Sequence, residues 1–183
     1  MADDPLLELL DEARASDAGR GRGRERSLRR QAEEDASLVG ALVDLAEHRS
    51  TVTLGTVDGA VHHGVVRAVG ADFCVLGAER RSQTHVLVRT AAIVTVRPDP
   101  DERHAAASGD RPPPSGLRWL EMLTTMAEDR PEVSIGTVDG GRVTGELRAV
   151  GRDVVTVALA GERRALCYVS ASSMCDMAVL RSG

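Results

Sequence analysis

An internal repeat constrains the fold of this chain more than any other feature of its sequence. Residues 38–76 and 119–157 align without a gap at a fixed offset of 81 residues, and 16 of the 39 aligned positions are identical. The clearest match is the run Gly-Thr-Val-Asp-Gly, which begins at Gly55 and again at Gly136. Self-similarity at a fixed period indicates one structural unit used twice. The sequence therefore predicts two small domains in tandem. Two residues separated by this offset are called counterparts below.

Each copy is predicted to begin with an amphipathic helix and to continue in strands. Leu38, Leu42 and Leu45 follow the i, i+4, i+7 spacing of one apolar helical face. Val52 and Leu54 then alternate with polar residues, as in a half-buried strand. An Asp-Gly dipeptide follows in both copies and predicts a tight turn. We expect a mainly β fold in which each copy is a helix followed by a strongly bent, five-stranded antiparallel open barrel. The predicted core consists of Leu42, Leu45, Val52, Leu54, Val66, Val69, Leu76, Val88 and Ile93, with Leu123, Met126, Val133, Ile135, Leu147, Val150, Val157, Val169 and Met174 in the second copy.

Composition divides the chain into four segments. We predict a flexible tail with a short helix over residues 1–24, the first copy with its leading helix over 25–98, a proline-rich linker over 99–115, and the second copy over 116–183. Proline-rich linkers are extended and semi-rigid. Domains of about 60 residues bury only about 60% of the surface of the unfolded chain. We therefore expect the copies to pack on each other or on a second chain.

The tail holds two candidate binding elements. Asp3 or Asp4, followed by Pro5, is a helix start signal before a leucine-rich face. It predicts a short helix that binds a partner protein through Leu6, Leu7, Leu9 and Leu10. A Gly-Arg alternation follows, and it predicts a salt-sensitive contact with RNA through Arg20, Arg22 and Arg24. The alternative for both elements is a frayed, solvated leader that binds nothing.

No pattern in the sequence indicates catalysis, a metal site or a cofactor. The glycine-rich stretches lack the Lys-Ser/Thr of a phosphate-binding loop. Cys74, Cys167 and Cys175 lie in apolar runs, which favours reduced, buried thiols over a disulfide framework. No apolar run reaches the ~20 residues of a membrane span, and the N-terminus is acidic where a signal peptide would be basic. We expect a cytoplasmic, non-enzymatic protein with no small-molecule substrate and no membrane partner.

The charge balance gives little support to a nucleic-acid partner. The net charge is −5, and all 23 basic residues are arginine. Arginine without lysine, together with abundant alanine, glycine and valine, indicates a high-GC, actinobacterial genome, so the arginine content is not in itself a functional signal. The chain has three aromatic residues, one each of Phe, Tyr and Trp. Single-stranded nucleic acids are commonly bound by stacking on such side chains.

The order of one helix and five strands, with glycines inside the second strand, resembles the Sm/LSm superfamily of small barrels. Asp58-Gly59, followed by Gly64, Gly70 and Asp72, resembles the first Sm motif. Val88-Arg89-Thr90 before Ile93 resembles the second. The resemblance covers about two thirds of the chain, and it implies two tandem Sm-like domains.

The resemblance also implies a base-binding pocket in the first copy. RNA-binding Sm proteins hold a base with an aspartate and an asparagine on one bend and an arginine before the last strand. The implied contacts here are Asp72, Phe73 and Arg89, with loop arginines Arg80, Arg81, Arg163 and Arg164 as further candidates. The chain departs from the pattern because Cys74 occupies the asparagine position.

Two functional hypotheses follow from the sequence. The first is a scaffold that acts through protein–protein contacts or self-association in a regulatory or assembly role. The alternative is an RNA-binding Sm-like protein that uses the arginine-rich leader and loops.

Overall fold

The computed structural model describes residues 24–78, 83–100, 109–161 and 165–180. Within these ranges the protein is mainly β, with three helices. The first helix, α1, covers residues 24–34. The first repeat then consists of α2 (Leu38–Glu47), β1 (Thr51–Thr56), β2 (Val61–Val69), β3 (Phe73–Ala78), β4 (Gln83–Arg89), a short 3₁₀ helix (Thr90–Ala92) and β5 (Ile93–Pro98). The second repeat consists of α3 (Trp119–Ala127), β6 (Glu132–Thr137), β7 (Arg142–Val150), β8 (Val154–Leu159), β9 (Leu166–Ser170), a second 3₁₀ helix (Ala171–Ser173) and β10 (Met174–Leu180).

All ten strands belong to one antiparallel sheet, in the order β5-β1-β2-β3-β4-β10-β6-β7-β8-β9. The first five positions are the strands of the first repeat, and the last five are those of the second. Strands β4 and β10 pair with each other and join the two halves. The antiparallel β class predicted from the sequence is confirmed, but the sheet is continuous and is not closed into a barrel. The narrower expectation of two tandem Sm-like barrels stays a prediction.

Glycines at equivalent positions allow the same turns and strand contacts in both repeats. The Asp-Gly turns place Gly59 and Gly140 at φ 81°, a left-handed conformation that glycine adopts without strain. Gly64 and Gly145 lie where a Cβ atom would collide with a carbonyl oxygen of the neighbouring strand. At these two positions a glycine inside the strand lets one backbone approach another closely.

The predicted core is confirmed at fifteen of its eighteen positions, where the side chains are buried. The remaining three, Leu45, Met126 and Val150, are partly buried and pack against the edges of the two hydrophobic clusters. The clusters do not divide by repeat. Phe73, Val75 and Leu87 of the first repeat belong to the cluster that is built mainly from the second.

The end of the predicted linker is anchored to the first repeat. The guanidinium of Arg111 donates to Asp44 Oδ1 at 2.7 Å and to Glu47 Oε1 at 2.6 Å, both on α2. On α1, Arg29 lies 3.3 Å from Glu33 and Arg30 lies 3.8 Å from Glu34, each pair four residues apart on the helix. None of the helices described is long and apolar enough to cross a membrane.

Candidate protein-binding surfaces: the junction and the open edge

The contact between the repeats, called the junction here, begins with the pairing of β4 and β10. Leu87 lies opposite Met177, and His85 lies opposite Val179. On the other side of β4, the N–H of Thr90, just after the strand, donates at 3.0 Å to the carbonyl of Asp72, just before β3. Because backbone groups alternate in direction along an antiparallel strand, those of Leu87 and His85 point toward β10. The junction is therefore a continuous hydrogen-bonded ladder.

The start of a helix of the second repeat packs against one face of the first repeat beside this ladder. Trp119, at the start of α3, packs edge-on against Phe73 with 6.2 Å between ring centroids. Phe73, Val75 and Leu87 share one hydrophobic cluster with Trp119 and Leu123. Edge-to-face aromatic pairs contribute about 0.5–1.5 kcal/mol beyond the area they bury. Two of the three aromatic side chains of the protein thus meet across the junction.

Asp72 caps that helix from the other repeat. Its Oδ1 accepts the N–H of Trp119, the first residue of α3, at 2.6 Å. The N–H of the neighbouring Ala71 donates to the carbonyl of Leu117 at 2.8 Å. Helix N-termini have unpaired N–H groups and a positive dipole end, and a carboxylate there satisfies both. The bend between β2 and β3 therefore fixes where α3 begins.

Arg89 contacts the other end of the junction. Its guanidinium donates to the carbonyls of Ala171 and Ser172, at 3.0 and 3.3 Å, and lies 3.5 Å from that of Met174. These carbonyls belong to the 3₁₀ helix before β10 and to the first residue of the strand. Asp72, Phe73 and Arg89, the three residues that the sequence implied as RNA contacts, all serve the contact between repeats.

A buried ionic cluster supports the junction from the second repeat. Asp176, in the middle of β10, is fully buried, and Arg142 donates to its Oδ1 at 2.6 Å. Its Oδ2 lies 3.4 Å from Nε2 of His62, in the first repeat. Gly136 makes room for the carboxylate, because a Cβ there would collide with it. Sequence reasoning missed this cluster. Asp176 is the single acid in the apolar run 174–180, and this pattern could have revealed the cluster. A charge inside a buried strand requires a partner.

The surface equivalent to the junction is open on the second repeat. The counterparts of Asp72, Phe73 and Arg89 are Asp153, Val154 and Ser170, and that of Leu87 is Tyr168, whose side chain is 69% exposed. On the same strand Leu166 is 50% exposed. No other described strand pairs with the outer side of β9. This surface, comprising β9 with the exposed side chains of Leu166 and Tyr168, is called the open edge below.

The opposite edge of the sheet, β5, differs from β9 in its backbone. The N–H of Asp99 donates to the carbonyl of Thr51 on β1 at 2.9 Å. The backbone groups of Asp99 are therefore directed inward, toward β1. Because the direction of backbone groups alternates along the strand, those of Pro98 are directed outward. Proline has no N–H, so the edge lacks a hydrogen-bond donor at this position. The counterpart of Pro98 is Val179, which pairs with β4 in the junction. Proline on an outward position is a common protection of edge strands against further pairing.

Several residues predicted to bind ligands lie outside the described residues. These are the tail residues Leu6, Leu7, Leu9, Leu10, Arg20 and Arg22 and the loop residues Arg80, Arg81, Arg163 and Arg164. Arg24 is the first residue of α1 and is exposed. Their roles stay predictions.

The thiols of the described chain are free. Burial raises the pKa of the Cys74 thiol to about 12. Burial, with the carboxylates of Asp58 and Asp176 nearby, also raises the pKa of Cys175. Both thiols therefore stay protonated at neutral pH, and a protonated thiol is a poor nucleophile. Across the ranges that the structure describes, no group of three or more His, Cys, Asp or Glu residues is arranged to hold a metal ion.

No family model, curated protein or solved structure matches the chain.

Proposed function

We propose that the protein is a non-enzymatic, cytoplasmic protein-binding module, built from two Sm-like repeats and acting in an assembly or regulatory role. The observation that carries this proposal is the use of Asp72, Phe73 and Arg89. All three contact protein: a helix N-terminus, a tryptophan ring and backbone carbonyls. The repeat therefore has a surface whose contacts are suited to another protein chain.

The open edge extends the same argument to a partner outside the chain. Among the residues that the structure describes, no strand pairs with the outward backbone groups of β9, and two apolar side chains there, Leu166 and Tyr168, are exposed. Exposed edges with such side chains are sites where another strand adds to a sheet. The reduced thiols of Cys74, Cys167 and Cys175 are consistent with a cytoplasmic location.

The RNA-binding alternative has less support. Phe73 is buried beneath Trp119 and cannot stack on a base without loss of that contact. Asp72 and Arg89 already have hydrogen-bond partners in the protein. What remains for this alternative is the arginine-rich leader and the loop arginines.

An affinity purification of the full-length chain from its native host, with and without RNase, tests the proposal. We expect protein partners to be retained after RNase treatment. Binding of labelled RNA to the purified chain is measured in parallel over a range of salt concentrations. Loss of every protein partner on RNase treatment, together with salt-dependent RNA binding, would favour the RNA alternative.

Matched variants separate the two candidate elements of the tail. If the leucines bind a partner, Leu6→Asp with Leu10→Asp removes protein partners and leaves RNA binding unchanged. If the arginines bind RNA, Arg20→Ala with Arg22→Ala and Arg24→Ala lowers the salt slope by roughly one unit per lost phosphate contact. The triple arginine variant should still recover the protein partners in the affinity purification.

A further inference from the structure

We infer that the open edge pairs with the open edge of a second copy, so that two chains join β9 to β9 across a twofold axis. This inference rests on the proposed function, of which it names the partner. It combines three observations: the backbone direction of β9, the proline on β5, and the uncharged sequence of β9 itself.

The backbone of β9 has groups that are directed away from the sheet. Ala171 N–H donates to the carbonyl of Asp153, beside β8, at 2.8 Å. By alternation, the N–H groups of Leu166, Tyr168 and Ser170 point outward. The carbonyl of Ser170 accepts from Ser173 Oγ at 2.8 Å. Three donors and at least two acceptors on this edge are therefore directed at an added strand.

The junction shows what kind of strand such an edge accepts. β4, the counterpart of β9, pairs antiparallel with an edge strand of another repeat. A second copy has two edges to offer, β5 and β9. On β5, Pro98 is the counterpart of Val179, which pairs with β4 in the junction. If β5 paired with β9 as β10 pairs with β4, the N–H donor at this position would be missing. The edge that remains on the second copy is its own β9.

The sequence of β9 permits self-pairing. A twofold axis at Tyr168 places this residue opposite itself and Leu166 opposite Ser170 of the other copy. No charged residue lies in Leu166–Ser170, so like charges do not face each other at the axis. Leu166 and Tyr168 lie on one face of the strand. Their apolar surfaces therefore meet those of the second copy on the same side of the joined sheet.

The test is the mass of the full-length chain in solution, measured by sedimentation velocity over a concentration series. We expect a species of twice the chain mass. Tyr168→Lys places two like charges at the axis and should yield monomer. Val94→Lys is the matched control, because Val94 is 64% exposed on the other edge strand. It should leave the dimer unchanged. Circular dichroism establishes that both variants are folded.

A cross-linking experiment tests the register. Antiparallel residues that exchange hydrogen bonds have Cα atoms about 5.5 Å apart, which is within the range of a disulfide. Tyr168→Cys should therefore yield a covalent dimer on mild oxidation, whereas Val94→Cys should not. The inference is overturned by a wild-type chain that stays monomeric, by species larger than a dimer, or by a dimer that Val94→Lys dissociates. It is equally overturned if the dimer cross-links through Val94→Cys instead of Tyr168→Cys.

These outcomes are separable from those of the proposed function. A monomeric chain that retains protein partners after RNase treatment contradicts self-pairing and leaves the protein-binding function standing. A chain that dimerises and binds RNA but no other protein contradicts the broader function and supports self-pairing.

Discussion

The two repeats share a fold pattern but differ at the same surface. In the first repeat the outer face of β3 and β4 packs against Trp119 at the start of α3, and its residues Phe73 and Leu87 are buried. In the second repeat the corresponding face carries Val154 and Tyr168, and Tyr168 is mostly exposed. The same surface is thus an internal contact in the first repeat, whereas in the second repeat it lies at the edge of the sheet.

The difference shows which features belong to the fold and which belong to the contact. Identical residues in the two copies, such as the Asp-Gly turns, form local structure in both. Residues that differ, such as Arg89 and its counterpart Ser170, lie at the junction or at the open edge. Asp72 is an exception, because it contacts α3 at the junction although its counterpart Asp153 is identical.

The largest expected effect comes from removing the centre of the junction. Trp119→Ala deletes a buried ring that contacts Phe73, and it should lower the free energy of unfolding by about 3–5 kcal/mol. Leu38, the counterpart of Trp119, is 41% exposed. Leu38→Ala should cost less than about 1 kcal/mol. Urea unfolding of the two variants and the wild type measures both values. Equal losses would mean that the junction is no more important than the exposed helix end.

The buried ionic cluster should give the next largest effect. Arg142→Val leaves the carboxylate of Asp176 buried without its cation and should cost about 1–3 kcal/mol. Asp176→Thr should cost less, because the 40% exposed side chain of Arg142 can turn to water. The double variant copies the first repeat, where the counterparts are Val61 and Thr95.

A double-mutant cycle on these variants isolates the interaction between Arg142 and Asp176. The double variant should lose less than the sum of the two single losses, and the difference should be on the order of 1 kcal/mol. Strict additivity of the unfolding free energies would show that the pair contributes nothing beyond its separate side chains.

The sequence predicted the strands and most of the core because these depend on local periodicity. Val52 and Leu54 alternate with polar residues and are both fully buried. The union of the two halves into one sheet could not be predicted in this way. The pairing of Leu87 with Met177 joins strands far apart in the chain, and alternation along a strand does not specify its neighbour.

The sequence singled out Asp72 but did not predict its contact with α3. The motif spacing singled out Asp72 as a functional acid at the bend between strands. Its partner, the N–H of Trp119, lies 47 positions later in the chain, and only the three-dimensional structure brings the two together. Asp153 has the same spacing in the second repeat but meets no such helix among the described residues.

The cap at the junction should have an effect of intermediate size. Asp72→Ala removes the acceptor for the first N–H of α3 and should cost about 1 kcal/mol. Asp153→Ala changes the counterpart at the open surface and should stay within about 0.5 kcal/mol of the wild type. Thermal or urea unfolding of both variants makes the comparison. A loss for Asp153→Ala as large as that for Asp72→Ala would indicate that the second aspartate also has a structural partner.

The smallest expected effect concerns acid stability at a turn of the second repeat. Hydrogen bonds from Thr137 Oγ1 and from the N–H of Gly141 lower the pKa of Asp139 below its ordinary value. A carboxyl group with a lowered pKa in the folded state contributes stability that is fully present above its unfolded pKa, near 3.9. This stability is lost as the pH falls through the folded value.

Thr137→Val removes the larger of these causes, so the pKa of Asp139 should move back toward its ordinary value. The urea midpoint of the variant should then fall less steeply between neutral and strongly acidic pH than that of the wild type. The hydrogen bond from Arg111 also lowers the pKa of Glu47. Glu47 therefore contributes to the loss of stability in acid, but it does so equally in the variant and the wild type. Asp139→Asn, which cannot titrate, should show a similarly reduced slope. Parallel acid profiles for all three proteins would show that this turn does not set the acid stability of the second repeat.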